Sequence, residues 1–184
     1  MNIIRKQNVT VNATNEFQIG DQINIGKYTA TCQKVLDKGA IFLLDQYLDK
    51  AYQMNADWTN KGGYDASDLR RDLQEDFAKD PEFDAIRDHL IPFENGDLVR
   101  IPTVGEFFGQ DDWYVMDDAE QWELMKNRKN RVASREGEEY EWGWLQNIVK
   151  GSATAFAIVT GTGRAATNLA SSSHGVRPVI LLVA

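Results

Sequence analysis

Ser171-Ser-Ser-His-Gly-Val-Arg-Pro-Val-Ile-Leu-Leu-Val-Ala184 decides how the rest of the chain has to be arranged. Small polar residues run into Gly175 and Arg177-Pro178, and then into an almost unbroken apolar run. A segment this apolar gains too much from leaving water to stay free. It predicts a strand buried in the middle of a sheet, with Val176 to Val183 as scaffold. Asn168 to His174, just before it, reads as the loop in which to look for function.

Outward from that strand, strands come first, helices sit in the middle, and strands return. Apolar runs and turn signals predict strands near 21–26, 28–36 and 40–45, with Asp37-Lys-Gly39 as a hairpin turn. Asp65 or Ser67 caps a helix whose apolar face is Leu69, Leu73 and Phe77, at i, i+4 and i+8. Asp80-Pro81 opens a second short helix with Phe83, Ile86, Leu90 and Ile91 inward. Leu98 to Ile101 reads as a strand. Thr103 caps a short helix with Glu106 at the capping-box position. Ala119 to Arg128 reads as a third helix. Trp142-Gly-Trp-Leu145, Ala155 to Val159 and Gly163 to Ala166 read as strands, and 1–16 as a loose strand or an N-terminal arm. This segregation predicts an α+β fold with a mixed, mostly antiparallel sheet and central helices, 1–184 forming a single domain.

Composition narrows the chemistry. The 184 residues carry a formal net charge of −8 and are 42% hydrophobic. That argues against a whole-surface attraction to nucleic acid or to an anionic membrane. One cysteine, Cys32, rules out a disulfide within the chain, and two histidines leave too few ligands for a Cys/His zinc site. No run approaches the ~18 apolar residues of a membrane span, and the first residues lack the core of a signal peptide. The expected location is the cytoplasm of the producing cell, or an assembled particle such as a virion. Gly161-Thr-Gly163 is too short for a phosphate loop and lacks its lysine, so no cofactor is expected.

Three segments carry a resemblance: Tyr64-Asp-Ala-Ser67-Asp-Leu69-Arg70, then Arg100-Ile-Pro102-Thr103-Val-Gly-Glu106-Phe107, then Trp142-Gly-Trp-Leu145 with Gly175-Val-Arg177-Pro178. Together they resemble an uncharacterised domain family of bacteria and their phages, with a Tyr-x-x-Ser-x-Leu-Arg helix and a terminal Gly-Val-Arg-Pro strand. The second and third are also similar to the formylglycine-generating-enzyme superfamily. The resemblance covers roughly residues 58 to 184. It implies a C-type-lectin-like fold, and, from the receptor-binding tips of some phages, a ligand face just before the late Gly-x-Arg. The superfamily's enzymes bind copper through cysteines in the C-terminal half. No cysteine follows Cys32, so that chemistry is not carried over. The calcium motifs of sugar-binding lectins are absent too.

Several side chains stand out. Arg177, in a strand built for burial, would be costly unless paired, and Glu106 is the expected partner in a structural ion pair. Trp142 and Trp144 are two apart and face one side of a strand. One of them, with Trp58 and Trp122, is expected in the core. Trp113-Tyr114 lies in an acidic loop and is expected to be exposed, as suits sugar stacking or a protein contact. Asn168, Ser171, Ser172 and His174 offer hydrogen bonds to a ligand, while nothing local orients the imidazole as a base for a serine. The basic run Lys126, Arg128, Lys129, Arg131 and Arg135 reads as a solvated helix end with glutamates after it. Asp111, Asp112, Asp117 and Asp118 lack the spacing of a calcium loop, and no metal is expected.

The best-supported function class is therefore a non-catalytic ligand-binding or assembly module, encoded by a phage or prophage. It would bind carbohydrate or a host-surface protein through Trp113, Tyr114, Trp144, Asn168, Ser171, Ser172 and His174. Homo-oligomer or particle assembly is the other kind of partner expected. The alternatives are a structural subunit of a phage particle with no small-molecule site, or a carboxylate-dependent hydrolase.

Overall fold

The first antiparallel ribbon is β1 (Gln22–Ile25) and β2 (Tyr28–Leu36), continued by β3 (Gly39–Leu44). The structure is a computed structural model and describes residues 17–135 and 139–183. The 1–16 arm, with Glu136 and Glu138, lies outside the described residues. A two-residue strand β4 (Tyr52–Gln53) precedes the helix α1 (Asp68–Lys79). Next come β5 (Val99–Arg100) and the short helix α2 (Val104–Phe108). The chain closes with β6 (Gly143–Ile148), β7 (Ala155–Val159), β8 (Ala165–Leu169), β9 (Ser173–His174) and β10 (Val179–Leu182). This is a mixed α+β structure with antiparallel sheets and few helices.

The terminal run is the strand its apolarity demanded. β10 lies between β3 and β5 in a five-stranded sheet of order β1-β2-β3-β10-β5, with Val179 opposite Leu43 and Leu182 opposite Ala40. The period of two explains why β3 and β10 are apolar at every position. Phe42, Leu44, Ile180 and Leu182 face one core, whereas Ile41, Leu43, Val179 and Leu181 face the other. The first core takes in Leu69, Leu73 and Phe77 of α1, and the second takes in Val104 and Phe107 of α2. A separate sheet, β6-β7-β8, contributes Trp144, Phe156 and Ile158 to the first core and Leu145, Ala157 and Val159 to the second.

Local signals place both helices. The Ser67 hydroxyl accepts the Arg70 N–H at 3.1 Å and donates to the Tyr64 carbonyl at 2.7 Å. Arg70 then reaches both oxygens of Asp97, at 2.7 and 2.9 Å, which ties α1 to the approach of β5. At α2 the capping box is complete: Thr103 accepts from the Glu106 N–H, and Glu106 accepts from the Thr103 N–H.

The short helix expected from Asp80-Pro81 is present as a 3-10 helix over Pro81–His89, capped by Asp80. The third helix needs correction. Residues 119–128 form no α-helix, only 3-10 turns at Glu123–Lys126 and Arg128–Asn130. Their carbonyls are taken by side chains instead of by a helical ladder. Asn130 Nδ2 donates to Leu124 O at 2.8 Å and Arg131 Nε to Met125 O at 2.6 Å. At the other end the strand expected to stop near Ala166 runs on to Leu169, with Asn168 opposite Phe156.

Candidate functional site

The expected ligand loop is partly strand. Ser173–His174 pairs with Tyr52–Gln53, and Gly175 lies beside Gly143 in a parallel bridge. Both glycines press on the Tyr47 ring. A Cβ would come within 2.4 Å of Tyr47 Oη at Gly143, and within 2.6 Å of Tyr47 Cγ at Gly175. Close approach is what these two positions require of glycine. It brings the β6 entry and the end of β9 together and sets His174 against both tryptophans of the Trp-Gly-Trp motif.

The His174 ring centre lies 4.7 Å from that of Trp144 and 5.8 Å from that of Trp142. The two indoles do face the same side, but they differ in burial. Trp144 is buried at 1% exposure, with its Nε1 donating to the Tyr52 carbonyl at 2.7 Å, and Trp142 is 47% exposed. The exposed member of the pair is thus Trp142, and Trp144 belongs to the core. Sequence spacing could not separate them, because the strand that covers Trp144 comes from residues 52–53.

Asn168 fixes the imidazole. Its Oδ1 accepts the Leu169 N–H at 2.8 Å and the Ser172 hydroxyl at 3.0 Å. The Leu169 N–H can only donate, so the amide nitrogen must be the atom that faces His174 Nε2, at 2.9 Å. Nε2 is then an acceptor and the ring proton sits on Nδ1. Burial pushes the His174 pKa down to about 4, which keeps the ring neutral at pH 7. The ring nitrogen that would serve a nucleophile as base is already taken by Asn168, and Ser172 donates to Asn168 and not to histidine. Ser171 offers its carbonyl to Gln53 Nε2 at 2.6 Å.

The acidic loop does not join this cluster. Tyr114 is buried, donating to the Ala166 carbonyl at 3.0 Å, so it is part of the core and not an exposed platform. Trp113 is 74% exposed, and its carbonyl accepts the Lys150 N–H beside the β6–β7 turn. Trp58, expected in the core, is 71% exposed near the same turn, because Asn60 holds the carbonyls of Ser152 and Ala155. Trp122 is buried as expected. Asp111 and Asp117 cap backbone N–H groups two residues on. Among the described residues no group of three His, Cys, Asp or Glu side chains could hold a metal ion.

Arg177 and Glu106 are not partners. Glu106 is held by Arg100, six residues before it, through contacts of 2.5 and 2.8 Å. Arg177 is buried and donates to two carbonyls, Nε to Leu44 at 2.5 Å and Nη1 to Asn130 at 2.9 Å. It joins the sheet to the 3-10 turns.

No protein-family model matches the chain. Neither a curated protein nor a solved structure is significantly similar to it. Among the described residues no helix is long and apolar enough to cross a membrane.

Proposed function

We propose that this chain is a non-catalytic binding module that takes carbohydrate, or a host-surface protein, on the face formed by Trp142, Asn168, Ser171, Ser172 and His174. One observation carries the proposal: a half-exposed indole stands beside an imidazole whose orientation is locked by Asn168. An aromatic face next to fixed amide and hydroxyl groups suits a pyranose, whose C–H face stacks while its hydroxyls exchange hydrogen bonds. The neutral His174 Nδ1–H, the second Asn168 amide hydrogen and the Ser172 oxygen make no further hydrogen bond among the described residues and would serve it. A C-type-lectin-like arrangement and a phage or prophage origin belong to the same proposal. They are supported by the Gly175-Val-Arg-Pro178 stretch, whose first residue bridges Gly143 at this face, and by the complete capping box of α2.

A glycan and host-surface panel probed with the intact chain tests this. Binding that is lost in Trp142→Ala and kept in Trp113→Ala is expected. Absence of any binding, or binding indifferent to Trp142, would overturn it.

The assembly reading has a different footing. Trp58 and Trp113, the two most exposed tryptophans, both lie beside the β6–β7 turn. Exposed tryptophans of this kind serve as anchors in protein interfaces. A sedimentation series with Trp58→Ala and Trp113→Ala reads this directly: self-association weakened by both substitutions supports it.

A further inference from the structure

On another part of the molecule, β1 and β2 and the segment 124–132 enclose a polar cleft of about 770 Å³. Arg177 lines it with a guanidinium only part spent: Nε and Nη1 donate to carbonyls, while Nη2 makes no hydrogen bond among the described residues. Asp45 lines it as well, each carboxylate oxygen accepting one bond, from Thr31 at 2.6 Å and from Gln22 at 3.1 Å. A carboxylate can accept about four. Arg177 and Asp45 feel each other's charge but form no ion pair. A guanidinium this buried without a carboxylate partner is costly and unusual.

Gln33 adds an independent sign. The β2–β3 register shifts between Cys32 and Lys34, so Gln33 is the extra residue of a bulge. Bulges re-aim a side chain and cluster beside functional sites. Gln33 is 2% exposed, its Nε2 donates to the Thr31 carbonyl, and its Oε1 has no partner among the described residues. A buried acceptor left empty is rare in a folded chain and sets this wall of the cleft apart from ordinary sheet.

The charges in the cleft cancel, Arg177 and Lys129 against Asp45 and Asp21. A simple anion would satisfy Arg177 and leave the carboxylates facing it. A ligand carrying both charges satisfies both sides. Among the described residues no aromatic ring lines the cleft to stack a sugar, whereas Ile19, Leu124, Met125 and Val132 offer an apolar wall. We infer that this cleft binds a zwitterionic α-amino acid with an apolar side chain, its carboxylate on Arg177 Nη2 and its ammonium on Asp45. Burial pushes the Asp45 carboxyl above its ordinary range, against the pull of Thr31, Arg177 and Gln22, and an ammonium placed beside it favours the ionised form.

Calorimetric titration of the full chain with L-leucine and L-methionine provides the test. Saturable binding is expected at concentrations up to ~10 mM. L-Leucinamide, which lacks the carboxylate, and 4-methylpentanoate, which lacks the ammonium, should each bind about tenfold more weakly or worse. Asp45→Asn should weaken leucine to a similar degree. Because that change also touches Thr31 and Gln22, the Arg177 guanidinium resonances of the unaltered protein give a second readout, and leucine should shift them. No saturable binding of either amino acid, binding that leaves those resonances unmoved, or binding of glucose or inorganic phosphate in their place would each overturn the inference.

Discussion

The guanidinium of Arg100 takes both carboxylate oxygens of Glu106, and the same carboxylate accepts the N–H of Thr103 at the start of α2. Both side chains are largely buried. Removing one member leaves the other charge uncompensated, at a cost of about 3–5 kcal/mol. Arg100→Met and Glu106→Gln should each lose stability on that scale, and the double variant should lose less than the two together. Urea unfolding in a double-mutant cycle measures the difference. Strict additivity would show that the pair is not coupled.

Gly175→Ala should destabilise by about 1–3 kcal/mol, the usual cost of overpacking. The added methyl meets ring carbons of Tyr47, itself buried at 1% exposure. Tyr47→Leu in the same chain should recover part of the loss. Thermal unfolding of the single and double variants checks this, and a fully stable Gly175→Ala would contradict it.

His174 gives stability a pH dependence. Folding lowers its pKa from 6.5 to about 4. Between those values the unfolded chain binds a proton that the folded one refuses, so stability falls as pH falls. One proton contributes at most about 1.4 kcal/mol per pH unit, and partial exposure brings the loss below that. Asp45, raised by burial, acts in the opposite sense. Comparing the urea midpoints of the parent and His174→Gln from pH 7 to pH 5 isolates the histidine. The parent should lose more, and parallel curves would refute the assignment.

Cys32 should resist alkylation. It is wholly buried, and burial pushes its thiol pKa up to about 12, so almost no thiolate exists at pH 8. A thiol reagent should label it only after denaturant is added. Rapid labelling of the native chain would mean that β2 opens locally.

What the sequence disclosed was whatever neighbouring residues encode. Ser67 and Thr103 are caps, Leu69, Leu73 and Phe77 make one helical stripe, and the terminal run is an interior strand. What it hid depends on partners far along the chain. Which indole of Trp142 and Trp144 is covered depends on Tyr52. Arg177 looked to need an acid, and two backbone carbonyls meet part of that need, while Glu106 found a nearer arginine. The helix expected at 119–128 failed because Asn130 and Arg131 compete for its carbonyls, a contest that period counting does not register. Gln33 and Asp45 gave no signal at all, since a bulge and a cleft exist only once the sheet has formed.

The position of β10 also governs how this protein can come apart. Its neighbours β3 and β5 come from early and middle parts of the chain, so pairing Leu43 with Val179 closes a very long loop. Folding must wait for that non-local encounter, and contacts of this kind slow it. Once seated, β10 is shared by both cores, and drawing it out would open them together. Local fraying therefore has little purchase on the centre of the molecule, and unfolding should proceed there as one cooperative event.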